Sequence, residues 1–440
     1  MWFGQSVSWF GDSLYFVSLL WLVQEMTGSR AMMGLVAACR TFPALLSVVA
    51  GAFVDRWDRR RMMIATDLIR AATVALIPLF RALGILQPWQ IPVVAFMLAL
   101  TGAFFVPARQ ALLPATVERR QIAPANSLMT LSQQAIFVVG YATGGMLIAA
   151  FGVLPMFTID SATFLVSVTA ITAMKMSRAE THPGRVDRDR VAAQEAGGQA
   201  GQEGQTDRAG QAERRAGRSG LGRELGEGLR YVYSSPALRI IMPLSVGLNF
   251  VFAPVSVLMP SWVSDVLRGG PQVFGLIQTA SMAGMAVGSV AAGVLVAKWR
   301  RSVVALSCLG AMGLLLVVFS MVRGVAAPLA AMAAMGMTNA VTNIILMTWL
   351  QTVVPQRMMG RVFGALGTVS QIAAPAGQAL AGMLGEVVPL PLLFGGPGLV
   401  AAGAAAVYAL VPPLRRAFDL DQAEEAVPGR QAREAAASGA

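Results

Sequence analysis

The chain has 440 residues, 55% hydrophobic and 13% charged, with a mean hydropathy of +0.61 and a net charge of +11. A water-soluble protein of this length could not keep so much apolar surface from water. Its two cysteines, Cys39 and Cys308, lie in separate apolar runs, and its one histidine, His182, lies in a polar stretch, which excludes a disulfide framework and a zinc site.

An apolar run of about 20 residues crosses a hydrocarbon core roughly 30 Å thick. Twelve such runs occur, near 2–24, 32–54, 62–84, 90–113, 127–150, 155–177, 237–262, 273–297, 302–323, 327–350, 361–385 and 390–412. They are too long for barrel strands, and lipid cannot satisfy stray backbone groups, so helices are expected throughout. The fold class expected is an all-α polytopic membrane protein.

Span 1 carries Asp12, flanked by Trp9, Tyr15 and Phe16. Span 2 carries Arg40, three residues before Pro43. A charge at the bilayer centre costs at least about 2.5–3.5 kcal/mol, so each is a candidate functional group. The two spans run antiparallel, which places Asp12 and Arg40 at similar depth and lets them pair. Asp12 is the expected proton-coupling carboxylate; the alternative is a structural Asp12–Arg40 pair with no part in transport.

After span 2 comes "GAFVDRWDRR" at 51–60, with Arg56, Arg59, Arg60 and Arg61 packed together. Further basic residues follow spans 4, 8 and 10: Arg119 and Arg120, Lys298, Arg300 and Arg301, and Arg357. The opposite loops hold little more than Arg30, Arg81, Arg268 and Arg323. The positive-inside rule therefore makes the even-numbered loops and both termini cytoplasmic. The net charge is no nucleic-acid signal, because residues 178–235 hold ten arginines against nine acids and the excess lies in the membrane loops.

In span 3, Asp67 and Arg70 stand one helical turn apart and read as structural. In span 4, Phe104, Phe105 and Pro107 precede Arg109, a gate candidate or an interfacial arginine that snorkels. Gln133 and Gln134 fall in span 5. Asp160 lies near the outer end of span 6 and reads as helix-end polarity. Residues 178–220 are rich in Gly, Gln, Ala, Arg and Glu without aromatics and read as a disordered linker. Within the linker region 178–236, a short helix at 221–233 is expected on the membrane surface, since Leu221, Leu225, Leu229 and Val232 share a face. Asn249 falls in span 7, Asn339 and Asn343 share a face of span 10, and Gln371 and Gln378 fall in span 11. The tail at 413–440 is polar and expected to be flexible.

The linker divides the spans six and six, into halves at 1–177 and 237–412. An internal repeat supports the division: "GAFVDRWDRR" at 51–60 aligns with "GVLVAKWRRS" at 293–302, and "LLPATVERR" with "VVPQRMMGR". Asp55 has no acidic counterpart, since Ala297 stands there. Two six-helix halves related by duplication are a transporter signature.

The 51–61 segment resembles the loop 2–3 motif of the major facilitator superfamily. Within it the chain resembles the drug-efflux branch that contains macrolide exporters and the enterobactin exporter. The resemblance is carried by "WFGQSVSWFGDSLYFVSLLWLV" in span 1, "GAFFVPARQALLP" at 102–114, "APANSL" at 123–128, "MFTIDSATFLVS" at 156–167 and "MMGRVFG" at 358–364. It departs in span 5, "VVGYATGGMLIAAFG" at 138–152, where Tyr141 stands in place of the proline usual in exporters; Gly140, Gly144 and Gly145 would still allow close helix packing. Span 1 also begins at Met1, without the usual short basic lead.

The resemblance implies twelve helices in the major facilitator fold, with spans 1, 4, 7 and 10 lining a central cavity. Trp9, Tyr15, Phe105, Asn249 and Asn343 then become cavity candidates. It implies a gating role for Gly51, Asp55, Arg56 and Arg59, with Asp55 set against the start of span 11. The function expected is secondary active export of a lipophilic small molecule (drug, siderophore or metabolite) by proton antiport, from a monomer in the plasma or inner membrane. An importer or lipid transporter of the same fold, or a non-transporting sensor, is the alternative. No cofactor or metal is expected, nor catalysis. Lys175 and Lys298 are the only lysines, and neither follows a phosphate-binding glycine loop.

Overall fold

The computed structural model describes residues 1–46, 57–117, 119–174 and 221–411. Gly51, Asp55 and Arg56 of the loop motif, His182, the 178–220 linker and the 413–440 tail lie outside the described residues.

The apolar runs form helices, and among the described residues there is no strand. In chain order these are α1 (Trp2–Thr27), α2 (Arg30–Thr41), α3 (Arg59–Ala82), α4 (Gln90–Thr116), α5 (Ile122–Phe151), α6 (Leu154–Thr172) and α7 (Leu221–Ser234). They continue with α8 (Pro236–Val251), α9 (Ala253–Ser261), α10 (Pro271–Lys298), α11 (Arg301–Met321), α12 (Ala326–Val353), α13 (Gln356–Val387) and α14 (Leu390–Leu410). Ten segments among them are long and apolar enough to cross a membrane, rather than the twelve expected. The two remaining runs differ for local reasons. Span 2 is α2 followed by a tighter 3₁₀ turn over Phe42–Leu46, because Pro43 lacks the amide that would continue the α-helix; the rest of the run is outside the described residues. Span 11 is a helix of 32 residues, α13, but its polar content dilutes its apolarity.

Helix starts follow from short polar side chains. The Ser29 hydroxyl accepts from the Met32 amide at 3.2 Å, and the Asp58 carboxylate accepts from the Arg61 amide at 2.9 Å. Span 7 is interrupted. Pro254 has no amide to offer, α8 ends at Val251, α9 begins at Ala253, and a π-turn over Trp262–Val266 follows.

The chain forms two compact units. The first comprises Met1–Arg223, Val257–Thr279 and Ala374–Glu386. Here α1 packs on α6 and α5, α3 on α6 and α4, and α2 on α4. Met63, Phe105, Ala108, Leu112 and Ile171 form one buried cluster where α3, α4 and α6 meet. The second comprises Glu224–Ser256, Ala280–Ala373 and Val387–Ala440. Its core gathers Val232, Leu238, Val304, Ile345, Trp349 and Val362. There α11 packs on α12 and α14, Tyr408 donates to the Ile240 carbonyl at 3.0 Å, and Arg361 pairs with Glu227 of α7 at 2.9 Å.

The repeated loops resemble one another where both are described. Trp57 and Trp299 are 63% and 62% exposed, each just before the helix that follows its loop.

Candidate transport site

In the first unit, polar side chains from four helices connect in sequence. Arg109 of α4 donates to the Gln5 side-chain oxygen of α1 at 3.4 Å. Gln5 donates to the Ser167 hydroxyl of α6 at 3.3 Å, and Ser167 donates to the Asp67 carboxylate of α3 at 2.7 Å. Asp67 pairs with Arg70, one turn along, at 3.6 Å. The arginines also rest on rings: Arg70 lies 4.8 Å from the Phe105 centroid and 5.5 Å from that of Phe164, and Arg109 lies 5.4 Å from that of Trp9. Gln5, Asp67, Ser167 and Phe105 are all buried, so the network holds three cationic or anionic groups at membrane depth by mutual contact.

Asp12 stands beside this network. It is partly exposed, and the cationic charges acting on it are those of Arg70 and Arg109. Both guanidiniums are already engaged, and among the described residues no hydrogen bond or ion pair holds the Asp12 carboxylate. The expected Asp12–Arg40 pair is not formed. Arg40 is exposed, and its guanidinium lies 4.8 Å from the Phe16 ring centroid instead. Arg40 thus packs on a ring one turn along α1 from Asp12 rather than on the carboxylate.

Tyr15 is buried edge-on against Phe157, with ring centroids 5.8 Å apart, and its hydroxyl has no hydrogen-bond partner. Asp160 is completely buried rather than a polar helix end; the Thr163 hydroxyl is 3.5 Å from one of its oxygens, and the other is unpartnered. Asn249 and Asn343 belong to the second unit. Both are exposed, and Asn249 donates back to the Ser245 carbonyl at 3.0 Å, one turn before the break in span 7.

The described part of the basic loop ties helix ends together. Arg59 donates to the Ala111 carbonyl at 2.9 Å, and Arg60 donates to the carbonyls of Ile171 and Thr172 at 3.2 and 2.5 Å. Both carbonyls lie in the last turn of α6, the place where a cation is favoured.

A second set of contacts lies where α1 joins α2, and here stretches of the C-terminal half of the sequence pack on the N-terminal half within the first unit. Glu386 at the end of α13 accepts from the Ser29 hydroxyl at 2.8 Å and from the Ala31 amide at 2.9 Å, so it sits on the N-terminus of α2. Arg30 pairs with Asp265 at 2.9 Å and donates to the Gly385 carbonyl at 2.7 Å. Gln24 donates to Ser264 and accepts from Ser261, each at 2.9 Å, and Thr41 donates to Gln378 at 2.9 Å. The backbones nearly touch: a Cβ built on Gly382 would lie 2.7 Å from both the Arg30 carbonyl oxygen and the Gly34 Cα. Gly145 likewise admits the backbone of Pro271 and Gln272, so one of the glycines expected to pack closely does so against α10. Sequence reading passed over Ser29, Asp265 and Glu386. The signal was there in Ser29, a helix-capping residue before an apolar run, and in Glu386, a lone acid past the end of span 11.

Glu386 lies outside the membrane spans, and the amide of Ala31, then the hydroxyl of Ser29, hold its carboxyl below the usual glutamate range. The depressed state is the capped one. Its contribution to these contacts is therefore complete above the ordinary value of about 4.3 and is lost as pH falls through the lowered one. With spin labels attached at neutral pH to Gln24→Cys and Ser264→Cys in a background lacking Cys39 and Cys308, the population at short label–label distance should fall several-fold on acidification from pH 7 to below about pH 4. Glu386→Gln should flatten that dependence; a dependence left intact assigns the acid response to another group such as Asp265.

These features define a polytopic membrane protein: two sets of helices, a broken span, and charges among apolar spans. The profile of the Major Facilitator Superfamily matches residues 1–378 and 255–436, and the chain belongs to that family. It is 27% identical over 392 residues to the multidrug efflux pump Tap of Mycolicibacterium fortuitum, covering 87% of this chain and 88% of that protein. It is 20% identical over 389 residues to macrolide efflux protein A of Streptococcus pyogenes, covering 88% of each. Among solved structures, the nucleoside transporter NupG superposes with a TM-score of 0.65 at 14% identity, over 94% of this chain and 97% of that one. The xylose transporter XylE from E. coli does so with a TM-score of 0.63 at 11% identity, over 93% and 96%. The protein is thus a multi-pass membrane transporter of the major facilitator fold.

Proposed function

We propose that the chain exports lipophilic small molecules from the cytoplasm in exchange for protons, by alternating access. The observation that carries this reading is Asp12. It is a partly exposed residue near the middle of a spanning helix, close to two cations that are already engaged, and it can exchange a proton without breaking an ion pair. The efflux activity named for the Tap and macrolide relatives supports the direction and the substrate class. The basic residues in the even-numbered loops favour cytoplasmic termini, which puts the α1–α2 junction outside. The contacts of Glu386, Arg30 and Gly382 then act as an outer latch, formed while the substrate path is shut to the outside and released when it opens. Gly51, Asp55 and Arg56 serve as its cytoplasmic counterpart. The exposed Asn249 and Asn343 are substrate contacts, Asn249 beside the interrupted helix. The transporter works as a monomer in the plasma or inner membrane.

The test is proton release from energised inverted vesicles carrying the protein, followed with a ΔpH-sensitive dye. Macrolides, tetracyclines, lipophilic dyes and catecholates are added in turn. At least one should discharge the gradient in these vesicles and not in empty ones. A silent panel, with folded protein in the membrane, would reject proton-coupled export of these classes; uptake in the opposite direction would mark an importer.

A further inference from the structure

Arg40 lies ten residues into α2, about 15 Å from the start of that helix and so near mid-membrane. It is exposed there, and among the described residues no carboxylate lies within ion-pairing distance of it. An unpaired guanidinium is costly against lipid at that depth, which favours exposure to a water-accessible path. Around it the rings are ordered. Arg40 lies over Phe16, Phe16 is 5.4 Å from Tyr141, and Tyr141 stacks on Phe137 at 5.6 Å with planes 23° apart. Gln134, Phe137 and Tyr141 fall on one face of α5, and Gln134 is exposed. Arg40 also acts electrostatically on Tyr15 and Tyr141, and the Tyr15 hydroxyl is buried without a partner. A cation lacking a counterion, a tier of aromatic faces and an unsatisfied hydroxyl are the complement of one kind of ligand.

We propose that Arg40, with the Phe16–Tyr141–Phe137 rings, forms a substrate subsite selective for planar aromatic compounds that carry an acidic oxygen, such as a carboxylate, enolate or phenolate. The inference rests on the transporter reading and narrows it. The acidic oxygen takes a charge-assisted hydrogen bond from the guanidinium fork, and the ring system extends over the aromatic tier. A lipophilic cation meets the same rings and is repelled by Arg40.

Fluorescein and rhodamine 6G share a xanthene ring system and differ in charge. Their binding to the purified full-length protein is measured by fluorescence anisotropy. The native protein should bind the fluorescein anion about tenfold or more tighter than the rhodamine cation, and Arg40→Gln should cut that ratio by about tenfold or more. Arg40→Lys keeps the charge without the planar fork and should fall between them, which guards against a variant that merely misfolds. Tyr141→Leu should weaken both dyes. A native preference for rhodamine, no fluorescein binding, or a ratio indifferent to both Arg40 substitutions overturns the subsite. Fluorescein binding through Arg40 with no transport of either dye would instead reject the exporter reading and leave the subsite standing.

Discussion

Asp12→Asn is expected to reduce substrate-induced proton release in inverted vesicles to the level of vesicles without the protein. The amide fills the same space, but it cannot carry a proton at any physiological pH. The neighbourhood makes the outcome specific to this carboxylate. Asp67 is completely buried, bonded to Ser167 and paired with Arg70, so moving a proton on or off it disturbs a packed network. Asp160 is likewise sealed from solvent. Asp12 alone of the three is partly exposed while Arg70 and Arg109 act on it, so proton exchange there alters the field on two arginines without unpacking anything. Asp12→Glu, which restores the carboxyl with one more methylene, should recover part of the release. Full release by a folded Asn variant would remove Asp12 from the coupling path and shift it to Asp160 or to a group outside the described residues.

What one sequence discloses depends on the range of the interaction. Helices are local, and the apolar runs mark them well, because lipid imposes the same requirement on every span. The membrane-depth charges are also legible, since Asp12, Arg40, Asp67, Arg70, Arg109 and Asp160 stand out against apolar neighbours. The Asp67–Arg70 pair could be read directly, being one helical turn apart. Partners on different helices could not. Arg40 was placed with Asp12 by depth alone, and depth does not give the direction in which a side chain leaves its helix. Nothing local in "GQSVS" marks Gln5 as the link between Arg109 and Ser167. The contacts of Ser29 and Arg30 with Gly385 and Glu386 join residues about 350 positions apart, and a single chain carries no pattern for such a pairing. The break in span 7 had a visible cause in Pro254, but a proline in a spanning helix does not by itself say kink or break.

Gly382→Ala is expected to impair transport by holding the outer latch apart. The added methyl would meet the Arg30 carbonyl oxygen at 2.7 Å and the Gly34 Cα at the same distance, both backbone atoms that cannot rotate away. Relief requires α2 and α13 to separate, which lengthens the Glu386 contacts to Ser29 and Ala31 and the Arg30 contact to Gly385 together. Overpacking of this kind costs about 1–3 kcal/mol, enough to shift a two-state equilibrium by roughly 5- to 150-fold. Since the cost falls on the closed state alone, the variant should accumulate with the outer path open. The short distance between spin labels at Gln24→Cys and Ser264→Cys should be depopulated accordingly, and substrate-induced proton release should fall with it. Gly403→Ala supplies the comparison, because a Cβ there meets nothing within 4 Å. Equal effects of the two alanines would mean that glycine at 382 serves helix flexibility rather than close approach, and would leave the latch to the polar contacts of Glu386 and Arg30.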